Sequence, residues 1–171
     1  MRKAVLILVL AGTSWLSLSA AQACGDKLLR MGRGARFQRS IHPAAILIFL
    51  PSNAPEVATS RAPQLQSFLK KAGHKARVVQ GVDRLSEAIS SSQYDLILAD
   101  LAEVAEVQKQ IDAASSKPSI VPVAIRSSKP EVSAARKQYG CLIKHANNGD
   151  EYLDAIYDAM KQRMRLVQKK T

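Results

Sequence analysis

The chain is poor in the residues that most chemistry needs. Two cysteines, Cys24 and Cys141, in 171 residues leave room for one disulfide at most. Histidine occurs three times, at His42, His74 and His145, and no two share a zinc-ligand spacing. The aromatics are three Phe, four Tyr and one Trp. No run interleaves them with arginine, as a stacking surface for nucleic acid would require. Acid is also scarce, with 14 Asp and Glu against 25 Lys and Arg and a net charge of +11. No G-x-S-x-G elbow and no G-x-G-x-x-G turn follows an apolar run. Gly32-Arg33-Gly34 resembles a phosphate loop only superficially, since no strand precedes it and no G-K-[ST] follows. Repeats and low-complexity tracts are absent too.

What is present begins at the first residue. Arg2 and Lys3 precede an apolar run from Ala4 to Ala11, and small residues lead to Ala21-Gln22-Ala23. A basic start, a short apolar core and an A-x-A site make residues 1–23 a secretory signal peptide. Gly12, Thr13 and Ser14 interrupt the run too early for a membrane span. The expected location is therefore the periplasm or cell envelope. Cys24 would stand first in the exported chain, and three states are open to it: acylated as a lipid anchor, bridged to Cys141, or free. Ala21 and Gln22 match the acylation pattern poorly, because that pattern wants an aliphatic residue three places before the cysteine and a small one two before.

The remainder suffices for one hydrophobic core. Residues 24–44 hold Lys27, Arg30, Arg33, Arg36 and Arg39 against Asp26 alone and show no period, so they read as a basic arm. From residue 45 to 167 the pattern is regular. Ala45–Leu50 is a continuous apolar run of the kind buried on both faces of a sheet. A helix with Ser60 near its cap and Pro63 in its first turn follows, stopped by Gly73. Strands are expected at 75–80, 94–100, 119–125 and 141–143, with helices at 82–91, 101–114, 130–139 and 150–167. Pro122 suits a strand end better than a centre. Five strand–helix units in succession predict an α/β domain with a doubly wound, five-stranded parallel sheet, and a site at the carboxyl ends of its strands. Residues 168–171 close the chain as a basic tail.

At those ends lie Asp100, Ser127 and Lys144. Four segments carry a likeness: Ile46-Leu47-Ile48-Phe49, Tyr94 through Asp100, Pro122 through Ser127, and Tyr139-Gly140-Cys141-Leu142-Ile143-Lys144. In order and spacing they resemble the receiver domain of bacterial response regulators, over roughly residues 45 to 165. The resemblance implies the flavodoxin-like (βα)5 fold. It also implies that Asp100 stands where that family accepts phosphate, Ser127 where a hydroxyl bonds the phosphoryl group, and Lys144 where a lysine pairs with it. Carboxylate nucleophile, hydroxyl donor and ammonium form a coherent phosphotransfer set.

The departures are specific. Receivers end their first strand with two acids that hold Mg²⁺, and here those places carry Leu50 and Pro51. Losing such a metal removes several kcal/mol of transition-state stabilisation, and about 1.36 kcal/mol is a factor of ten in rate. Cys141 stands where the family has a coupling aromatic, and His145 where it has proline. The loop from Leu50 to Ser60 is expected to be longer than the family's. The sequence therefore predicts an exported, degenerate receiver-like domain that is not an enzyme, binds no metal or cofactor, and acts by protein interaction in the envelope. The resemblance points to a docking face containing Ala134, Tyr139, Leu142, Tyr152 and Ala155. Two alternatives stand beside this reading. One is a phosphorelay receiver that accepts phosphate on Asp100. The other is a binder of anionic lipid or polymer that grips an envelope surface through the basic arm and the Lys161–Lys170 tail. No nucleic-acid partner is expected. The oligomeric state and the identity of the partner are left open by the sequence.

Overall fold

The apolar run Ala45–Leu50 forms the first strand, β1, at the centre of the domain. It is followed by α1 (Glu56–Lys71), β2 (Lys75–Gln80), α2 (Val82–Ser91) and β3 (Leu96–Asp100). A 3-10 turn at Leu101–Glu103 leads into α3 (Val104–Ala113), then β4 (Ser119–Val123), α4 (Lys129–Tyr139) and α5 (Gly149–Gln168). The computed structural model describes residues 43–125 and 127–168. Residues 1–23, where a signal peptide is expected, Cys24, the basic residues Lys27, Arg30, Arg33, Arg36 and Arg39, and residues 169–171 of the tail lie outside the described residues.

The four strands form one parallel sheet in the order β2-β1-β3-β4. Alternation along each strand sorts the core into two layers. Ile46 and Ile48 join Leu96, Leu98, Val121 and Val123 beneath Ala62 and Leu69 of α1 and Tyr152, Ile156 and Met160 of α5. Leu47, Phe49, Ile97 and Ala99 face the other way, against Leu85 and Ile89 of α2 and Val107 and Ile111 of α3. The expected doubly wound α/β fold is present.

The fifth strand is reduced to one parallel bridge, Val123 with Ile143, and the reason lies in Pro122. The Ile143 N–H donates to the Pro122 carbonyl at 2.9 Å, and the Ala124 N–H donates to the Ile143 carbonyl at 2.7 Å. The next rung back would need an N–H on residue 122, and proline has none. The Cys141 N–H turns instead to the Tyr139 carbonyl. A proline in the body of β4 thus ends the ladder on the side where strand five would extend.

Helix α1 begins at Glu56, earlier than the sequence suggests. Pro55 caps it in an extended conformation, Glu56 suits the positive end of the helix dipole, and Pro63 lies inside the helix rather than in its first turn. The β1–α1 loop is accordingly short, residues 51–55, which corrects the expectation of a long one. Gly73 and Gly140 close α1 and α4 with φ of 94° and 71°, a region that costs other residues a Cβ clash.

Candidate functional site at the carboxyl end of the sheet

Asp100 is the last residue of β3 and is half-buried. Its Oδ1 accepts the Ala102 N–H at 3.4 Å, which caps the 3-10 turn. Ser127 is half-buried just beyond β4, next to a complete capping box in which Ser128 and Glu131 satisfy each other at the start of α4. Lys144 follows the Ile143 bridge and is exposed. All three expected residues therefore reach the same end of the sheet. The structure does not join them: among the described residues ion pairs link Lys109 to Glu106, His145 to Glu151 and Arg163 to Asp95, and none links Asp100 to Lys144.

Glu151 in the first turn of α5 explains where the Lys144 loop goes. Its carboxylate accepts the Lys144 N–H, the His145 N–H at 3.2 Å and a 2.8 Å contact from His145 Nδ1. Burial pushes the Glu151 carboxyl up, but the backbone and ring bonds from Lys144 and His145 outweigh it, and the net shift is downward. The sequence marks this residue only as one of two acids opening a helix, seven places after Lys144.

The residues at the end of β1 do not suit a magnesium ion. Leu50 and Pro51 offer no carboxylate there, and among the described residues no three His, Cys, Asp or Glu side chains gather in a metal-binding group. Mg²⁺ wants hard oxygen ligands in tight octahedral array. In place of a charged pocket the structure has an apolar cavity of about 850 Å³. Ile48, Leu50, Leu98 and Val123 form its floor, Leu65 and Phe68 of α1 one wall, and Ala146, Gly149 and Tyr152 the other. Among its described lining residues, Asp100 is the single acid and Arg61 the single base. Gly149 approaches α1 closely there: a Cβ would sit 2.7 Å from the Phe68 ring, which would have to shift. Tyr152 is buried and directs its hydroxyl to the Ala146 carbonyl at 3.4 Å. Burial first, and then the Glu151 charge, push its phenol up to about 12, against an opposing pull from Arg61.

The docking face expected from the resemblance is only partly a surface. Ala134 is exposed and Tyr139 half-buried, but Leu142, Tyr152 and Ala155 are buried. Helix α5 turns Tyr152, Ala155, Ile156 and Ala159 onto the sheet, so its apolar stripe is spent on the core. Cys141 is buried as well, is disulfide-bonded, and has the Gln162 amide 3.6 Å from its sulfur.

No family model matches the sequence, and no curated protein matches it by sequence. Solved structures do. The signal receiver domain of a protein described as a Luxo repressor from Vibrio parahaemolyticus superposes with a TM-score of 0.58 at 15% identity, over 75% of this chain and 98% of that one. A response regulator from Burkholderia pseudomallei, solved with a phosphorylated aspartic acid, a calcium ion and citrate, gives 0.48 at 15% identity over 74% and 75%. The response regulator TrrA from Thermotoga maritima, in complex with Mg²⁺ and BeF, gives 0.47 at 14% over 67% and 98%. The first of these establishes that the chain shares the receiver fold.

Proposed function

We propose that this chain is an exported receiver-like module that has lost phosphotransfer and works by binding a protein in the cell envelope. The observation that carries this reading is the exchange at the carboxyl end of the sheet. Leu50 and Pro51 stand where a metal-holding acid pair would be needed, and Asp100 faces an apolar cavity rather than a cluster of carboxylates. Without a second carboxylate, charge developing on a transferred phosphoryl group has no metal to neutralise it, and the barrier rises by several kcal/mol.

Export rests on residues 1–23, and its consequence is chemical: an oxidising compartment suits the bonded state of Cys141. The partner surface would be the exposed edge of α4 together with the Lys144–His145 loop, where Ala134, Lys137, Lys144 and His145 are accessible. Glu131 and Glu151 fix that edge by capping and by clamping, so it is offered in one conformation. Charge reversal at Lys137 and Lys144 together is expected to abolish capture of the cognate envelope protein while leaving thermal unfolding unchanged. Capture at wild-type level by that variant would exclude this surface.

A further inference from the structure

The apolar cavity is not accounted for by the reading above. Its size lies within the range of about 300–1,000 Å³ usual for small-molecule sites. Its floor and much of its wall are aliphatic, through Ile48, Leu50, Leu65, Leu98 and Val123. Water fills such a space poorly, since each molecule needs two to four polar partners. Apolar surface also continues outward to the rim. Val57 and Ile125, both lining residues, are 53% and 38% exposed.

The polar side chains of the described lining are those of Arg61, Gln64, Asp100, Asn147 and Tyr152. Arg61 of α1 is the single cation among the described lining residues. Tyr152 of α5 lines the same space and holds its proton, and its one O–H would exchange the 3.4 Å bond to the Ala146 carbonyl for the head group. An aliphatic cleft that offers one described guanidinium and one hydroxyl is complementary there to a chain with an acidic head, which must keep clear of Asp100. We propose that the cavity is a binding site for an alkyl-chain carboxylate, with the tail against Ile48, Leu98 and Val123 and the head group at Arg61 and Tyr152. A neutral amphiphile of the same length would leave Arg61 unused, and a flat aromatic ligand would find mostly branched aliphatic walls.

The test is a titration of the purified chain with laurate below its micelle concentration, followed by methyl NMR, beside 1-dodecanol as the neutral probe. Laurate is expected to shift the methyl resonances of Ile48, Leu98 and Val123. Arg61→Gln should weaken laurate about tenfold, as for the loss of one charge-assisted bond, and leave dodecanol unchanged. Ala58→Trp, which fills the cavity from α1, should abolish both, with cooperative unfolding as the control for folding. Three results would overturn the proposal. One is the absence of methyl shifts up to about 1 mM laurate, a Kd too weak to matter. Another is equal weakening of both probes by Arg61→Gln. The last is binding that appears only after residues 1–42 are removed, which would make the chain's own N-terminal segment the occupant.

Discussion

His74 shows how much a single polar side chain can carry in this core. It is 5% exposed, its Nδ1 accepts the Ala44 N–H at 3.2 Å, and burial lowers its pKa from the ordinary 6.5. The unfolded chain therefore binds a proton in a range where the folded chain does not. Stability is full above about pH 6.5 and falls as pH drops from there toward the lowered folded value. His74→Asn keeps an acceptor for Ala44 and should remove this dependence, as measured by urea unfolding between pH 7.5 and 5. A parallel slope in wild type and variant would show that His74 is not the titrating group. Glu151 acts at lower pH. Its carboxyl is held down, so its contribution is present above the unfolded value near 4.5 and is lost as pH falls through the folded one. Glu151→Ala unpairs two backbone amides and should cost about 1–2 kcal/mol. It should also speed hydrogen exchange at Lys144 and His145; unchanged exchange there would show that the loop is held by something else. Neither residue announces its role in the sequence, because His74 works through Ala44, 30 places away, and Glu151 through the Lys144 and His145 amides of the loop before its own helix.

At the scale of elements the sequence is more explicit. The apolar runs at 45–50 and 96–100 and the amphipathic periods of α2 and α5 are local signals, and the strands and helices formed where those signals lie. The start of α1 was less visible, since Pro63 looks like a first-turn residue and yet is tolerated inside the helix. The fifth strand was misleading for a different reason. Cys141-Leu142-Ile143 has strand composition, but a ladder depends on donors in the neighbouring strand, and Pro122 withholds one. Pro122→Val should restore an N–H facing the Cys141 carbonyl and stabilise the domain by about 0.5–1.5 kcal/mol. Slow hydrogen exchange at the new amide is the expected signature, and exchange at the rate of an unprotected amide would refute the account. Gly149→Ala should displace the Phe68 ring and cost about 1 kcal/mol, visible as a lowered unfolding midpoint and shifted Phe68 resonances. An unchanged Phe68 would mean that the close approach is relieved elsewhere.

For the whole molecule, the proposed reading keeps the receiver fold and gives up the chemistry that the resemblance implies. The sheet delivers Asp100, Ser127 and Lys144 to one end, which the order of the sequence segments made legible. The cavity beside them was not legible, because it is made jointly by α1, α5 and three strands, and no local pattern encodes a gap between elements. The replacement of acids by Leu50 and Pro51 was readable in the sequence, and its spatial counterpart is an apolar floor where a metal would need oxygen. A chain in this state should accept neither metal nor phosphoryl mimic. The direct measurement is a two-dimensional NMR titration with Mg²⁺ and then with beryllofluoride. The account predicts no shifts clustered on Asp100, Ser127 and Lys144, even at millimolar concentrations of about the weakest Kd worth considering. Saturable shifts centred on those three residues at modest Mg²⁺ would contradict it, and would show that the phosphoacceptor site still works.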